Sequence, residues 1–274
     1  MHARMMLDLT ENTNEPLRLG LALGGGAARG IAHVGVLQVL WENHIPVRAI
    51  AGTSAGAMVG AMIASGFTPD ELAEVARRSN WWFLAKDVSL RSGLLRSVGI
   101  EKWLRRHTKN KSFNELRVPL AVVTSDLVSG ESVVFASGDV AWAARVSATV
   151  PGIYAPVEYQ GRLLVDGGLT QNVPVTTARE MDVDVVLAVS LNGSFLDSGK
   201  PERPAEAIQQ AISILQRAHV EEQLGRADLA ITPNLAGLGL TDFRAVDEFI
   251  RLGREAMESA LPKLQSILWK GMEG

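Results

Sequence analysis

Apolar residues recur along the chain in two alternating patterns. Short, almost unbroken apolar runs at Leu17–Leu23, Val47–Ala51, Val118–Thr124 and Val183–Leu191 have the length and branched-residue content of strands covered on both faces. Between them, apolar positions return at helical spacing over Ile31–Trp41, Ala57–Ser65, Pro204–Arg226 and Asp242 to about Lys270. Thr68-Pro69-Asp70-Glu71 supplies a cap, a proline at the first helical position and a glutamate closing a capping box, so it opens a helix that ends near Asn80. Asp139 caps another that runs to about Ser147, and Asn172-Val173-Pro174 starts a third. Glu131–Phe135 follows a turn at Asp126–Gly130, Tyr154–Glu158 and Arg162–Val165 form a hairpin about Gln160-Gly161, and Leu229–Pro233 is a last strand. Strands and helices that alternate in this way predict an α/β protein, a three-layer α/β/α sandwich on a mostly parallel central sheet.

Composition narrows the picture in three ways. With 47% apolar residues in a chain of 274, residues 17–274 read as one folded domain, after a flexible tail (residues 1–16) whose Asp8, Glu11 and Glu15 leave no room for the apolar centre of a signal peptide. Lys plus Arg number 27 against 30 Asp plus Glu, a net charge of −3 with no dense basic run, so nucleic acid is not an expected partner. The absence of cysteine excludes disulfides, thiolate catalysis and cysteine zinc sites, and is compatible with a reducing, cytoplasmic setting. No run approaches the roughly 18 uninterrupted apolar residues of a membrane-spanning helix, so any membrane contact is expected to be peripheral, at the inner surface.

Candidate chemistry gathers where strands end. Gly52-Thr53-Ser54-Ala55-Gly56 places a serine on a sharp strand-to-helix turn, with Gly52 and Gly56 removing the Cβ atoms that would collide there. After the first strand, Gly24-Gly25-Gly26-Ala27-Ala28-Arg29-Gly30 concentrates backbone N–H groups that suit either a phosphate or a developing oxyanion. A dinucleotide site is the alternative use of that loop, but such a site expects a carboxylate at the end of the second strand, and here that strand ends in Gly52-Thr53-Ser54. The histidines, His2, His33, His44, His107 and His219, lack the context of a general base. His33 is expected to be buried against the sheet or packed on the glycine loop, and no metal-binding spacing is present. Asp166, before Gly167 and Gly168, is either a turn former or a carboxylate aimed into the strand-end cleft. Trp81-Trp82-Phe83-Leu84 packs on the core in the plainer reading, and caps an acyl pocket or touches lipid in the sharper one.

Taken together, Gly24–Gly30, Gly52–Gly56 and Asp166–Gly168 resemble, in order, the three signatures of the patatin-like phospholipases. Ser147–Val157 and Asn172–Val175 resemble the segments around the third, and the likeness runs from about Leu19 to Leu191. The resemblance implies a serine acyl hydrolase acting on lipid or other acyl esters, a phospholipase A, lysophospholipase or carboxylesterase that needs neither metal nor cofactor. It further implies Ser54 as nucleophile, Asp166 as its base, and an oxyanion hole of N–H groups around Gly25, Gly26 and Ala27, with Arg29 holding that loop. Gly167 and Gly168 support the aspartate. Many relatives carry glycine where this chain has Ala27, so the loop is expected to lose freedom to adopt positive φ. A member of the family that regulates rather than hydrolyses is the remaining alternative.

Overall fold

The computed structural model describes residues 16–79, 95–191 and 204–270; the segment Trp81–Leu84 lies outside them. In chain order the strands are β1 (Leu19–Leu23), β2 (Val47–Thr53), β3 (Leu120–Asp126), β4 (Ser132–Phe135), β5 (Val157–Tyr159), β6 (Arg162–Asp166), β7 (Val185–Val189) and β8 (Leu229–Ile231). The helices are α1 (Ala32–Glu42), α2 (Ala55–Ala64), α3 (Pro69–Arg78), α4 (Val98–Thr108), α5 (Val140–Ser147), α6 (Val175–Arg179), α7 (Pro204–Gly225) and α8 (Val246–Leu268). All eight strands belong to one sheet of order β5-β6-β3-β2-β1-β7-β8, with β4 also paired to β3. Pairings among β3, β2, β1, β7 and β8 are parallel, whereas β4, β5 and β6 join antiparallel.

β1 is buried at every position because helices cover both faces of the sheet. Leu19, Leu21 and Leu23 share one core with Val36 and Leu40 of α1, Ala57 and Ala61 of α2, and Met257 and Leu264 of α8. Ala22 faces the other way, into a core with Val175 and Ala178 of α6 and Val220 of α7. Its cross-strand partners are Ala51 and Ala188, and Ala51 in turn faces Ala121, so four central strands present a row of alanines on that side. Small side chains there let the short α6 lie close to the sheet. The three-layer sandwich expected from the alternation is thus the fold observed, with the Thr68/Glu71 capping box in place at the start of α3.

Two local expectations change. The glycine loop does not lead straight into a helix at Ile31: Ala27–Ile31 winds as a 3₁₀ turn first, and α1 starts at Ala32. The hairpin starts at Val157 rather than Tyr154, because Tyr154 is buried and bridges to Leu95 instead. β3 acts as the ruler for the strand ends: Thr53 lies opposite Val123, and Asp166 lies opposite the next residue, Thr124.

Candidate active site

Ser54 follows the last residue of β2 and caps α2 with φ +53° and ψ −119°, a left-handed conformation that an L-residue adopts only when its surroundings hold it there. Gly52 and Gly56 make that turn feasible, since a Cβ on Gly56 would sit 2.1 Å from the Leu23 carbonyl oxygen and one on Gly52 2.7 Å from Ala57 Cα. Two hydroxyls hold the turn from outside. Thr53 Oγ1 donates to the Gln171 carbonyl at 2.7 Å, and the Ser54 N–H donates to Ser147 Oγ at 2.8 Å. Ser54 thus stands at the N-terminal end of α2, the positive end of the helix dipole.

Asp166 ends β6, is 8% exposed, accepts a hydrogen bond from Gly168 N–H at 2.8 Å and faces the Ser54 hydroxyl. Burial raises its pKa from 3.8 to about 6, against the lowering effect of those two groups. Gly167 is required beside it because a Cβ there would meet the Val123 carbonyl oxygen at 2.2 Å. The sequence-predicted Ser54 and Asp166, some hundred residues apart, are therefore in direct contact.

The glycine loop is held at nearly every residue. Gly24 N–H donates to the Val189 carbonyl, Ala28 N–H to the Leu240 carbonyl, and Arg29, itself buried, donates from Nε to the Leu238 carbonyl at 2.9 Å. His33 packs on this loop, as one of its two expected placements had it. Its Nε2 lies 2.8 Å from the Gly24 carbonyl oxygen, which can only accept, so Nε2 carries the proton; burial pushes its pKa down to about 4 and keeps it neutral. Of the three N–H groups expected to be free, Gly25's is occupied, donating to the Asn172 carbonyl at 3.0 Å. Those of Gly26 and Ala27 have no acceptor among the described residues. A loop with only two free N–H groups suits a single oxyanion better than the oxygens of a pyrophosphate.

Ala27 does take positive φ, at +49°, without the glycine that such a backbone favours. Its methyl is exposed, so removing it sacrifices little burial. Ala27→Gly is accordingly expected to raise the unfolding free energy by about 0.5–1 kcal/mol, measured by urea denaturation. An unchanged or lower value would show that the loop accommodates the methyl without strain.

The cleft above these groups is lined by Ser54, Asp166 and the glycine loop at one end and by Val150, Pro151, Leu169, Ile212 and Leu240 on its apolar walls. α7 forms one wall and is tied down by a polar stripe that sequence reasoning did not single out. Gln216 Nε2 donates to the Gly168 carbonyl at 2.7 Å and its Oε1 accepts from Asn172 Nδ2 at 3.1 Å. One turn on, His219 Nε2 lies 2.6 Å from the Thr170 carbonyl oxygen, and Gln223 Oε1 accepts from Val173 N–H at 2.8 Å. The spacing of three to four residues between these side chains was the available signal, since it puts them on one helical face.

A family model described as patatin-like phospholipase matches residues 21–179, more than half of the chain and the whole stretch that carries Ser54 and Asp166. The chain belongs to the patatin-like phospholipase family. Among its patatin-like relatives, an uncharacterized NTE family protein of Mycobacterium tuberculosis is 40% identical over 193 residues, covering 69% of this chain and 52% of that protein. The patatin-like phospholipase domain-containing protein 6 of Mus musculus is 30% identical over 197 residues, 69% of this chain and 14% of that one. This chain thus spans about half the length of its mycobacterial relative and a small part of the mouse protein. Among solved structures, VipD from Legionella pneumophila superposes with a TM-score of 0.62 at 14% identity, over 91% of this chain and 67% of that one. The type III effector ExoU of Pseudomonas aeruginosa does so with a TM-score of 0.55 at 17% identity, over 91% and 54%. At these identities the likeness is one of fold, and it is the patatin-like fold.

Proposed function

We propose that this chain is a serine acyl hydrolase that cleaves acyl esters of lipids, as a phospholipase A, lysophospholipase or carboxylesterase, through a Ser54–Asp166 dyad. The observation that carries the proposal is the contact between a serine held in a left-handed elbow and a buried carboxylate, beside two loop N–H groups that have no acceptor among the described residues. Ser54 Oγ attacks the ester carbonyl carbon as its proton passes to Asp166, and the carbonyl oxygen becomes an oxyanion facing the Gly26 and Ala27 N–H groups. Arg29 serves by anchoring that loop to the Leu238 carbonyl. Collapse of the intermediate expels the alcohol, which takes the proton from Asp166 and leaves an acyl group on Ser54. Water then attacks the acyl-enzyme, giving its proton to Asp166, and the acid departs as the proton returns to Ser54.

A carboxylate of ordinary acidity is a weak base for a hydroxyl, and burial is what brings Asp166 closer to the task. The apolar walls of Val150, Pro151, Leu169, Ile212 and Leu240 fit an acyl chain. Exposed Leu169, Ile208 and Leu215 extend that character outward and support peripheral contact with a lipid surface. No helix among the described residues is long and apolar enough to cross a membrane.

A fluorophosphonate tests the proposal directly, because its phosphorus accepts Ser54 Oγ and loses fluoride while Asp166 takes the hydroxyl proton. Peptide mass spectrometry should find the adduct on Ser54 and on no other serine, and Ser54→Ala should remain folded and unlabelled. A folded wild-type protein that gains no adduct at Ser54 would overturn the proposed activity.

A further inference from the structure

Ser147 is fully buried at the end of α5, yet its hydroxyl serves no residue of its own helix in the pattern expected of a buried helical serine. Instead Oγ donates to the Val123 carbonyl of β3 at 2.6 Å, an oxygen that can only accept, which fixes the hydroxyl proton on that side. Its lone pairs are left for the Ser54 N–H at 2.8 Å. Two residues later, the Thr149 carbonyl accepts the Asp166 N–H at 2.9 Å. Thr149 is itself pinned: its Oγ1 donates to the Arg145 carbonyl at 3.0 Å and lies 3.0 Å from Ser97 Oγ. Arg145 holds the same region from the helix side through Glu101 Oε2 at 3.0 Å.

We propose that Ser147 is a positioning residue for the Ser54–Asp166 pair: the strap Ser147–Thr149 grips the backbone of each member, and the Ser147 hydroxyl keeps Ser54 in its left-handed turn. The inference rests on the hydrolase reading above. Its physical basis is that the elbow conformation is unfavourable for serine and persists only while partners over-determine it. Without Oγ, the buried Ser54 N–H loses its acceptor and the Val123 carbonyl loses one donor, and the turn can relax by rotating Ser54 away from Asp166. Displacement of a reacting atom by about 1 Å is sufficient to lower a rate on the order of 100-fold.

The test measures two quantities on wild type and Ser147→Ala, well below the melting temperature of each: the second-order rate of fluorophosphonate labelling at Ser54, and kcat and KM for a short soluble ester. Loss of positioning is expected to lower the labelling rate and kcat together by about 10- to 100-fold, with KM within about twofold of wild type. Ser147→Cys, which keeps a weak donor and acceptor on a side chain of similar size, is expected to fall between the two, and serves in place of the alanine variant should that one not fold. A folded variant that is less stable but labels and turns over at the wild-type rate would show a structural serine only and overturn the inference. A wild-type protein without a Ser54 adduct would overturn the hydrolase reading and this inference together, whereas a labelled wild type with unaffected Ser147 variants overturns the inference alone.

Discussion

Asp166→Asn is expected to lower kcat for a soluble ester on the order of 1,000-fold and, at the same time, to stabilise the protein at neutral pH. The first effect follows from the amide's inability to take the Ser54 proton. The second follows from burial. Asp166 titrates near 6 in the folded protein rather than at the ordinary 3.8, so ionising it is harder in the fold than in the unfolded chain. Its contribution to stability is therefore full below about pH 4, declines as pH rises towards 6, and is lost above that. The difference corresponds to up to about 3 kcal/mol at pH 7 and above. An asparagine carries no such penalty, and its oxygen still accepts from Gly168 N–H. Melting temperatures should thus differ at pH 7.5, with the variant higher, and converge near pH 4. In the wild type kcat/KM should rise with pH through a midpoint near 6, as the carboxylate forms. A variant that is both inactive and less stable at pH 7.5 would mean that the carboxylate is satisfied by its surroundings and is not held there against its ionisation.

Which parts of this arrangement were legible in the sequence depends on the range of the interaction that determines them. The strands β1, β2, β3 and β7 were readable because two covered faces demand unbroken apolar runs. The elbow was readable because a tight backbone approach demands glycine at Gly52 and Gly56. The helix α4 was not anticipated: its buried positions Ile100, Leu104 and Thr108 do lie at helical spacing, but Glu101, Lys102, Arg105 and Arg106 crowd between them and hide the stripe. Nor could the chain reveal that Gly25 N–H is closed by the Asn172 carbonyl, since backbone pairing across some 150 residues leaves no mark on either side chain. The partners of Ser147 and Gln216 were hidden as well, although Ser147 opens a segment that resembles the family and Gln216 shares a helical face with His219 and Gln223. Each is an ordinary polar residue on a helix, and only the fold shows whose backbone it satisfies. The positive φ that a glycine would adopt without strain is imposed on Ala27 because Gly24, Ala28 and Arg29 fix the loop around it.

Gly253→Ala is the substitution expected to reduce stability most, by about 3 kcal/mol or more, although Gly253 lies on the closing helix and away from the cleft. α1 and α8 meet backbone to backbone: a Cβ on Gly253 would stand 2.0 Å from the Ala32 carbonyl oxygen, and one on Gly35 would stand 2.0 Å from that of Ile250. Neither obstacle is a side chain that can rotate aside, so the helices must separate and loosen Phe249 and Ile250 from Val34 and Leu72 in the cluster they share. Because one separation accommodates both methyls, Gly35→Ala and Gly253→Ala should not add. The double variant is expected to be less destabilised than the sum of the singles, by on the order of 1 kcal/mol or more in a denaturation cycle. Strict additivity would mean that each glycine acts on a local contact of its own. The movement should also reach the cleft. α1 follows directly on the 3₁₀ turn of the glycine loop, and that loop is held from residues just ahead of α8, through the Leu238 and Leu240 carbonyls. Parting the two helices draws on both ends of the oxyanion loop at once, so the folded fraction of Gly253→Ala should label with fluorophosphonate more slowly than wild type, while Asp166 and Ser54, built on β6 and β2, keep their contact.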